Sequence, residues 1–213
     1  MLIRFVDLIL STLLIIIFLP IVFILGLIIF FQDFKNPIFS SVRIGKHRKK
    51  FKLFKLRTMK VNNTSSVIRT TRENDPRITF LGRWIRKYKL DEIIQLWNVI
   101  INDMSIVGPR PNVEEEIKFY KKNDFDLFKY KPGITDYASI WFINLESRLS
   151  SDISKDVNKE YLLKVKPLKN FLALKTVKNL GIIKYLFVCF LTAISFFNLR
   201  FAKKLILQTT RKR

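Results

Sequence analysis

LILSTLLIIIFLPIVFILGLIIFF, Leu8 to Phe31, is an apolar run of about 24 residues without a single charge. About 20 such residues cross the hydrocarbon core of a bilayer, so the run reads as a membrane segment. It is long for the apolar part of a cleaved signal peptide, Asp7 lies in its leading region, and no A-x-A-like site follows. Pro20 in its middle removes one backbone hydrogen bond and predicts a kink, although a plain single-pass helix would tolerate the same proline. Arg4 and Asp7 precede the run, whereas Lys35, Arg43, Lys46 and a longer basic stretch follow it. The basic side is expected to be cytoplasmic.

Outward from the anchor, 213 residues leave room for one ordinary domain. The 39 Lys and Arg against 17 Asp and Glu give a net charge of +22, which calls for an anionic partner. Nucleic acid, an anionic membrane surface and a phosphorylated substrate all meet that requirement. One cysteine, Cys189, and one histidine, His47, exclude a disulfide framework, a cysteine zinc cluster and a histidine-rich metal site, and argue against a Ser-His-Asp machine. Any catalysis must use carboxylates and cations.

Half of the residues from Arg43 to Lys60 are Lys or Arg, and Phe51, Leu53, Phe54 and Leu56 alternate among them as in a strand or a short amphipathic turn. At about 1 kcal/mol per basic residue this stretch could hold the chain on anionic lipid, or Lys55 and Arg57 could serve a phosphate site. Asn62 to Asn74 is polar and aperiodic and reads as a mobile loop. From Leu81 to Ile100 apolar residues recur at helical spacing, with a break expected between Lys89 and Asp91.

The stretch RWIRKYKLDEIIQLWNVIINDMSIVGPRPN, Arg83 to Asn112, concentrates the chemistry. Asp91 and Glu92 are adjacent, so on a helix they point about 100° apart, and one could attack while the other binds a metal. A helix N-terminus beside Asp91 would keep it ionised. The plainer reading pairs the two carboxylates with Lys87 and Lys89 on the surface at about 0.2 to 0.5 kcal/mol each. Arg110 sits between Pro109 and Pro111, which restrict the backbone on both sides and present a planar fork suited to phosphate oxygens.

These residues resemble a known family, the small monotopic polyprenyl-phosphate phosphoglycosyl transferases of the bacterial sugar transferase group. The matching elements are the proline-containing apolar N-terminus, VRIG (Val42 to Gly45), FKLRTM (Phe54 to Met59), NDPRIT (Asn74 to Thr79) and LGRWIRK (Leu81 to Lys87). LDEIIQLWNVIINDMSIVGPRP (Leu90 to Pro111) and KPGIT (Lys131 to Thr135) complete the series, in order, over residues 1 to about 140.

The resemblance implies a two-step transfer. Asp91 would attack the β-phosphate of a UDP-sugar, N-acetylated or not, to give an aspartyl phosphosugar and UMP, and undecaprenyl or another polyprenyl phosphate would take the phosphosugar. Glu92 would bind Mg²⁺. Arg86 and Arg110 would lie at the phosphates or the nucleotide, with Lys55, Arg57, Pro109 and Pro111 as further substrate-binding residues. The chemistry is consistent: a carboxylate approaches a phosphoanhydride only where cations neutralise its oxygens, and oxygen ligands favour Mg²⁺ over softer ions. Where the family reads PGITG followed by Gly-Arg, this chain has Asp136-Tyr137-Ala138, and Leu19 replaces a serine common before the membrane proline.

The expected fold is α+β and predominantly helical. Residues 1–34 form a re-entrant membrane helix that enters and leaves on the cytoplasmic side of the bacterial inner membrane, and 35–213 form a basic catalytic domain. Tyr185 to Phe197 is short for a span, so 182–204 is expected as an interfacial helix, with a second crossing as the alternative. The partners are UDP-sugar, polyprenyl phosphate and membrane lipid, with no nucleic acid. The rival function is a non-enzymatic tether binding nucleic acid or anionic lipid through Arg43 to Lys60.

Overall fold

The computed structural model describes residues 1–61, 75–143 and 161–211. The loop expected over 62–74 lies outside the described residues, apart from the Asp75 that follows it. The chain folds as helices around two small sheets, in line with the α+β expectation. Helix α1 (Leu2–Asp33) is followed by strands β1 (Ile38–Ile44) and β2 (Lys50–Leu56), helices α2 (Phe80–Lys87) and α3 (Gln95–Ile100), and strand β3 (Ser105–Val107). Helix α4 (Glu114–Ile117), strand β4 (Gly133–Thr135) and helices α5 (Tyr137–Trp141), α6 (Lys166–Val177), α7 (Ile182–Phe197) and α8 (Leu199–Arg211) complete the described order.

The alternation in KFKLFKL does form a strand. β2 pairs antiparallel with β1 from Ile38 opposite Leu56 to Ile44 opposite Lys50, and buries Leu53 and Leu56. The buried Asn98 side chain on α3 donates to Lys52 O (2.7 Å) and accepts from Phe54 N (3.2 Å), clamping the strand to the helix. That clamp fixes Lys55, the next residue along. Asn98→Ala leaves both backbone groups without this partner, and a loss of about 2 kcal/mol is expected in chemical denaturation.

β3 and β4 run parallel, Ser105 beside Gly133 and Val107 beside Thr135. They cross so closely that a Cβ on Gly133 would lie 2.1 Å from Gly108 N. Only glycine permits that approach. The core around this crossing contains Val99, Met104, Val107, Tyr137 and Ile140, together with Tyr185, Val188 and Leu191 of α7 and Ala202 and Ile206 of α8.

Helix α1 continues through Pro20 and spans about 48 Å at 1.5 Å per residue. It is long and apolar enough to cross a membrane by length and composition. Both of its ends are held by the same domain. Near the start, Arg4 donates to Val99 O (2.6 Å) and Ile100 O (2.8 Å). Asp7, buried, accepts from Ser105 Oγ (2.9 Å), Ile106 N (2.8 Å) and the Tyr185 hydroxyl. Near the end, Leu25 and Ile29 pack with Leu56 and Ile85. Arg57 closes that end with a bidentate pair to Asp33 and a bond to Lys35 O (3.1 Å). Between these attachments Leu13, Ile16, Ile17, Leu19 and Ile21 are exposed.

The stretch 182–204 is divided rather than one helix. α7 and α8 meet at Asn198, whose Oδ1 accepts from Phe201 N (3.0 Å), a side-chain cap that starts the second helix. α7 buries one stripe in the core and leaves Ile183, Leu186, Phe190, Phe196 and Phe197 exposed on the other.

Candidate active site

The site forms where the chain breaks between α2 and α3. Thr79 caps α2 by accepting from Gly82 N (2.9 Å), and Thr79 N donates to Thr58 O (3.0 Å), which docks the helix start against the end of β2. Asp75 accepts from Arg77 N (3.0 Å) and the Arg77 guanidinium, fixing the turn before it. α2 ends at Lys87, Lys89 takes a left-handed conformation (φ 58°), and Leu90–Glu92 form a 3₁₀ turn. The break falls where the periodicity placed it, and it turns Asp91 inward, 6% exposed.

The partners of the dyad are not the ones that surface spacing proposes. Lys87 lies over the Tyr88 ring (5.6 Å), and Lys89 acts on both carboxylates only as a longer-range charge. Glu92 accepts instead from Lys55 Nζ (2.9 Å) and from both terminal nitrogens of Arg110. Lys55 Nζ also stands 4.0 Å from Asp91 Oδ2. Strand β2 and the Pro-Arg-Pro turn thus deliver their cations to one point, 37 and 18 residues away in the chain.

The two carboxyls are driven apart. Burial pushes Asp91 up, countered by the charges of Lys55 and Arg86. Glu92 is held well below the usual carboxylate range because Arg110 and Lys55 outweigh its own burial. A helix terminus does not set the acidity of Asp91: α3 is six residues long, and desolvation is the largest influence, raising it. Burial lowers Lys55, with the Glu92 charge opposing it, and the Glu92 charge raises Arg110.

Of the proposed site residues, Asp91, Glu92, Lys55 and Arg110 come together, and the charge of Arg86 reaches both Asp91 and Asp75. Pro109 and Pro111 are buried beside Arg110 and line a cleft with it. Arg57 does not join them, because its guanidinium is spent on Asp33 and the carbonyls at the end of α1. Asn98, which sets the position of Lys55, carried no signal in the sequence beyond its place in an apolar helix.

Among the described residues no three His, Cys, Asp or Glu converge on a point that could hold a metal. Two adjacent carboxylates suit an ion that completes its shell with water and substrate phosphate, as Mg²⁺ does. Both oxygens of Glu92 are engaged by Lys55 and Arg110.

The sequence as a whole has counterparts among known proteins. The sequence profile described as bacterial sugar transferase matches residues 1–180. The chain belongs to the bacterial sugar transferase family. Among its relatives, the UDP-galactose-lipid carrier transferase of Erwinia amylovora is 41% identical over 119 residues, covering 49% of this chain and 25% of that protein. The UDP-glucose:undecaprenyl-phosphate glucose-1-phosphate transferase of Escherichia coli is 36% identical over 137 residues, 63% of this chain and 30% of that protein. Exopolysaccharide production protein ExoY of Rhizobium meliloti is 32% identical over 156 residues, 66% of this chain and 68% of that protein. The chain thus spans about a quarter to a third of the first two relatives, and about two thirds of the third.

Proposed function

We propose that this family member transfers a sugar 1-phosphate from a UDP-sugar to undecaprenyl or a similar polyprenyl phosphate, the first step of a surface glycan. The observation that carries the reading is Asp91, buried, beside a Glu92 gripped by Lys55 and Arg110. In the first step an Asp91 oxygen forms a bond to the β-phosphorus, and the bond from that phosphorus to the α-phosphate oxygen breaks, releasing UMP. In the second, a phosphate oxygen of the lipid forms the new bond to that phosphorus and the Asp91 oxygen leaves. Lys55, Arg86 and Arg110 neutralise the phosphoryl oxygens and let an anionic nucleophile approach. Mg²⁺, held by Glu92, would supply further charge neutralisation at the diphosphate.

The anchor fits this acceptor. A straight rod of about 48 Å held by one domain at both ends would lie along it, and a rod bent at Pro20 would return to it. The exposed apolar middle favours the bent, re-entrant form, with the domain on the cytoplasmic face of the inner membrane. Trp84 and Tyr88 (ring centroids 5.0 Å apart) and Trp97 are exposed on the stretches of chain that flank the dyad, and such aromatic side chains settle at headgroup level. A tag at the N-terminus should be accessible from the cytoplasmic side only; periplasmic access would overturn the hairpin.

The test of function is UMP release by the solubilised protein given Mg²⁺, undecaprenyl phosphate and a panel of UDP-sugars. Release with none of them would exclude the reaction, and binding governed by salt alone would favour a charged tether. The reading also sets the acid limb of the rate. Asp91 attacks only when ionised and burial raises its folded pKa, so activity should climb with pH through a midpoint above that of an ordinary aspartate. Lys55→Gln removes a charge that lowers Asp91, so the limb in that variant should move further up.

A further inference from the structure

Lys166, the first residue of α6, is 3% exposed. Lysine is among the residues least often buried, and the positive end of a helix macrodipole is an unfavourable place for an ammonium. Burial accordingly lowers its pKa, with the Glu116 carboxylate opposing the fall. Its Nζ donates to Glu116 Oε2 and to Asn112 Oδ1, and stands 5.7 Å from the centre of the Tyr120 ring and 6.0 Å from that of Tyr161. A buried lysine needs a counter-charge, and Glu116 supplies it. The bond to Asn112 answers no such need. Asn112 follows directly on the Pro-Arg-Pro turn and is held from three sides. Its Oδ1 accepts from Lys166, its Nδ2 donates to the Tyr120 hydroxyl, and its carbonyl accepts from Ile44 N (2.9 Å). Before the turn, Gly108 N donates to Thr135 O (3.0 Å) and Gly133 N to Pro109 O (3.0 Å). Only Arg110 and Pro111 lie between these two clamps.

We propose that Lys166 is a positioning residue for the transfer: by holding Asn112 it sets the Pro-Arg-Pro turn, and with it the place of the Arg110 guanidinium at the dyad. The inference rests on the reading of the chain as a UDP-sugar-dependent transferase. Pro111 has a fixed φ, so a shift of Asn112 passes to Arg110 with little loss. The Arg110 side chain is 42% exposed, so few neighbours of its own hold the guanidinium on Glu92, and the backbone beneath it decides its aim. Lys166 stands 54 residues beyond Asn112 in the chain, so α6, which contributes no group to the dyad, enters the site through this one bond. Glu116 keeps the ammonium charged and in place, and Asn112 receives the geometry.

UMP release is measured per folded molecule on the solubilised full chain with Mg²⁺, undecaprenyl phosphate and an accepted UDP-sugar, alongside Tm and amide exchange at Ile44, whose N–H bonds to Asn112 O. Lys166→Met and Asn112→Ala should each lower kcat about 10 to 100-fold with KM for the UDP-sugar within about 3-fold, because Arg110 acts on phosphoryl oxygens in the transition state. The double variant should lose no more than Asn112→Ala alone, since both changes remove one bond. Glu116→Gln breaks the ion pair while its amide oxygen still accepts from the ammonium, so it should lower Tm and leave kcat within about 3-fold. A merely structural lysine predicts native kcat per folded molecule in Lys166→Met, and that result overturns the proposal while the transferase reading stands. An equal kcat loss in Glu116→Gln overturns it as well. If Lys166→Met does not fold, Asn112→Ala decides, because it removes the same bond from the other end and keeps the Lys166–Glu116 pair: native kcat there overturns the proposal. If the native protein releases no UMP, the transferase reading fails by itself, and the hold on the turn is judged by exchange at Ile44: about 10-fold faster exchange in Lys166→Met or Asn112→Ala supports it, and unchanged exchange overturns it.

Discussion

Asp91→Asn should lower UMP release by about 10⁴ to 10⁶-fold, equivalent to about 5 to 8 kcal/mol of transition-state stabilisation, because an amide cannot form the bond to phosphorus. The fold should survive. Burial disfavours the charged form of Asp91, so an uncharged isostere relieves desolvation, and thermal stability should be unchanged or slightly raised. A variant that unfolds would show that the carboxylate is structural, and a folded variant with native turnover would remove Asp91 as the nucleophile. Glu92 differs. It pairs with a part-buried Lys55 and a more exposed Arg110, so its removal leaves two cations without their shared partner.

The second large effect is on stability. Gly133→Ala would place a methyl 2.1 Å from Gly108 N, 2.5 Å from Gly108 Cα and 2.6 Å from Gly108 O, all backbone atoms with no rotamer to yield. Separation of the strands would break Gly108 N to Thr135 O (3.0 Å) and Gly133 N to Pro109 O (3.0 Å). A loss of about 3 kcal/mol or more is expected, or about 6 to 12 °C in Tm. The same shift displaces Pro109-Arg110-Pro111, which begins one residue after Gly108, so the folded remainder should also lose activity. Normal stability and turnover in Gly133→Ala would show that the two strands can part at little cost.

Much of this was legible locally. The uncharged run from Leu8 to Phe31, the alternation in KFKLFKL and the break near Lys89 are short-range patterns, because strand and helix periods are set by neighbours in the chain. The adjacency of Asp91 and Glu92, and an arginine between two prolines, are likewise written in the sequence.

Partnership through space was not. Periodicity says which face a side chain takes, never what stands opposite. Glu92 pairs with Lys55 and Arg110 rather than with the nearby lysines, and Arg57, two residues from Lys55, closes the end of α1. Asp7 looked like a flanking charge, yet it latches α1 to β3 and α7. The direction of the Asp91 acidity was also beyond the sequence, since desolvation depends on how much of the domain closes over it. The sequence alone determined an apolar anchor, a basic domain and the residues capable of phosphoryl chemistry. The tertiary structure decided which cations meet at the dyad and that both ends of the anchor are held by one domain, because contacts between residues dozens of positions apart exist only once the chain has packed.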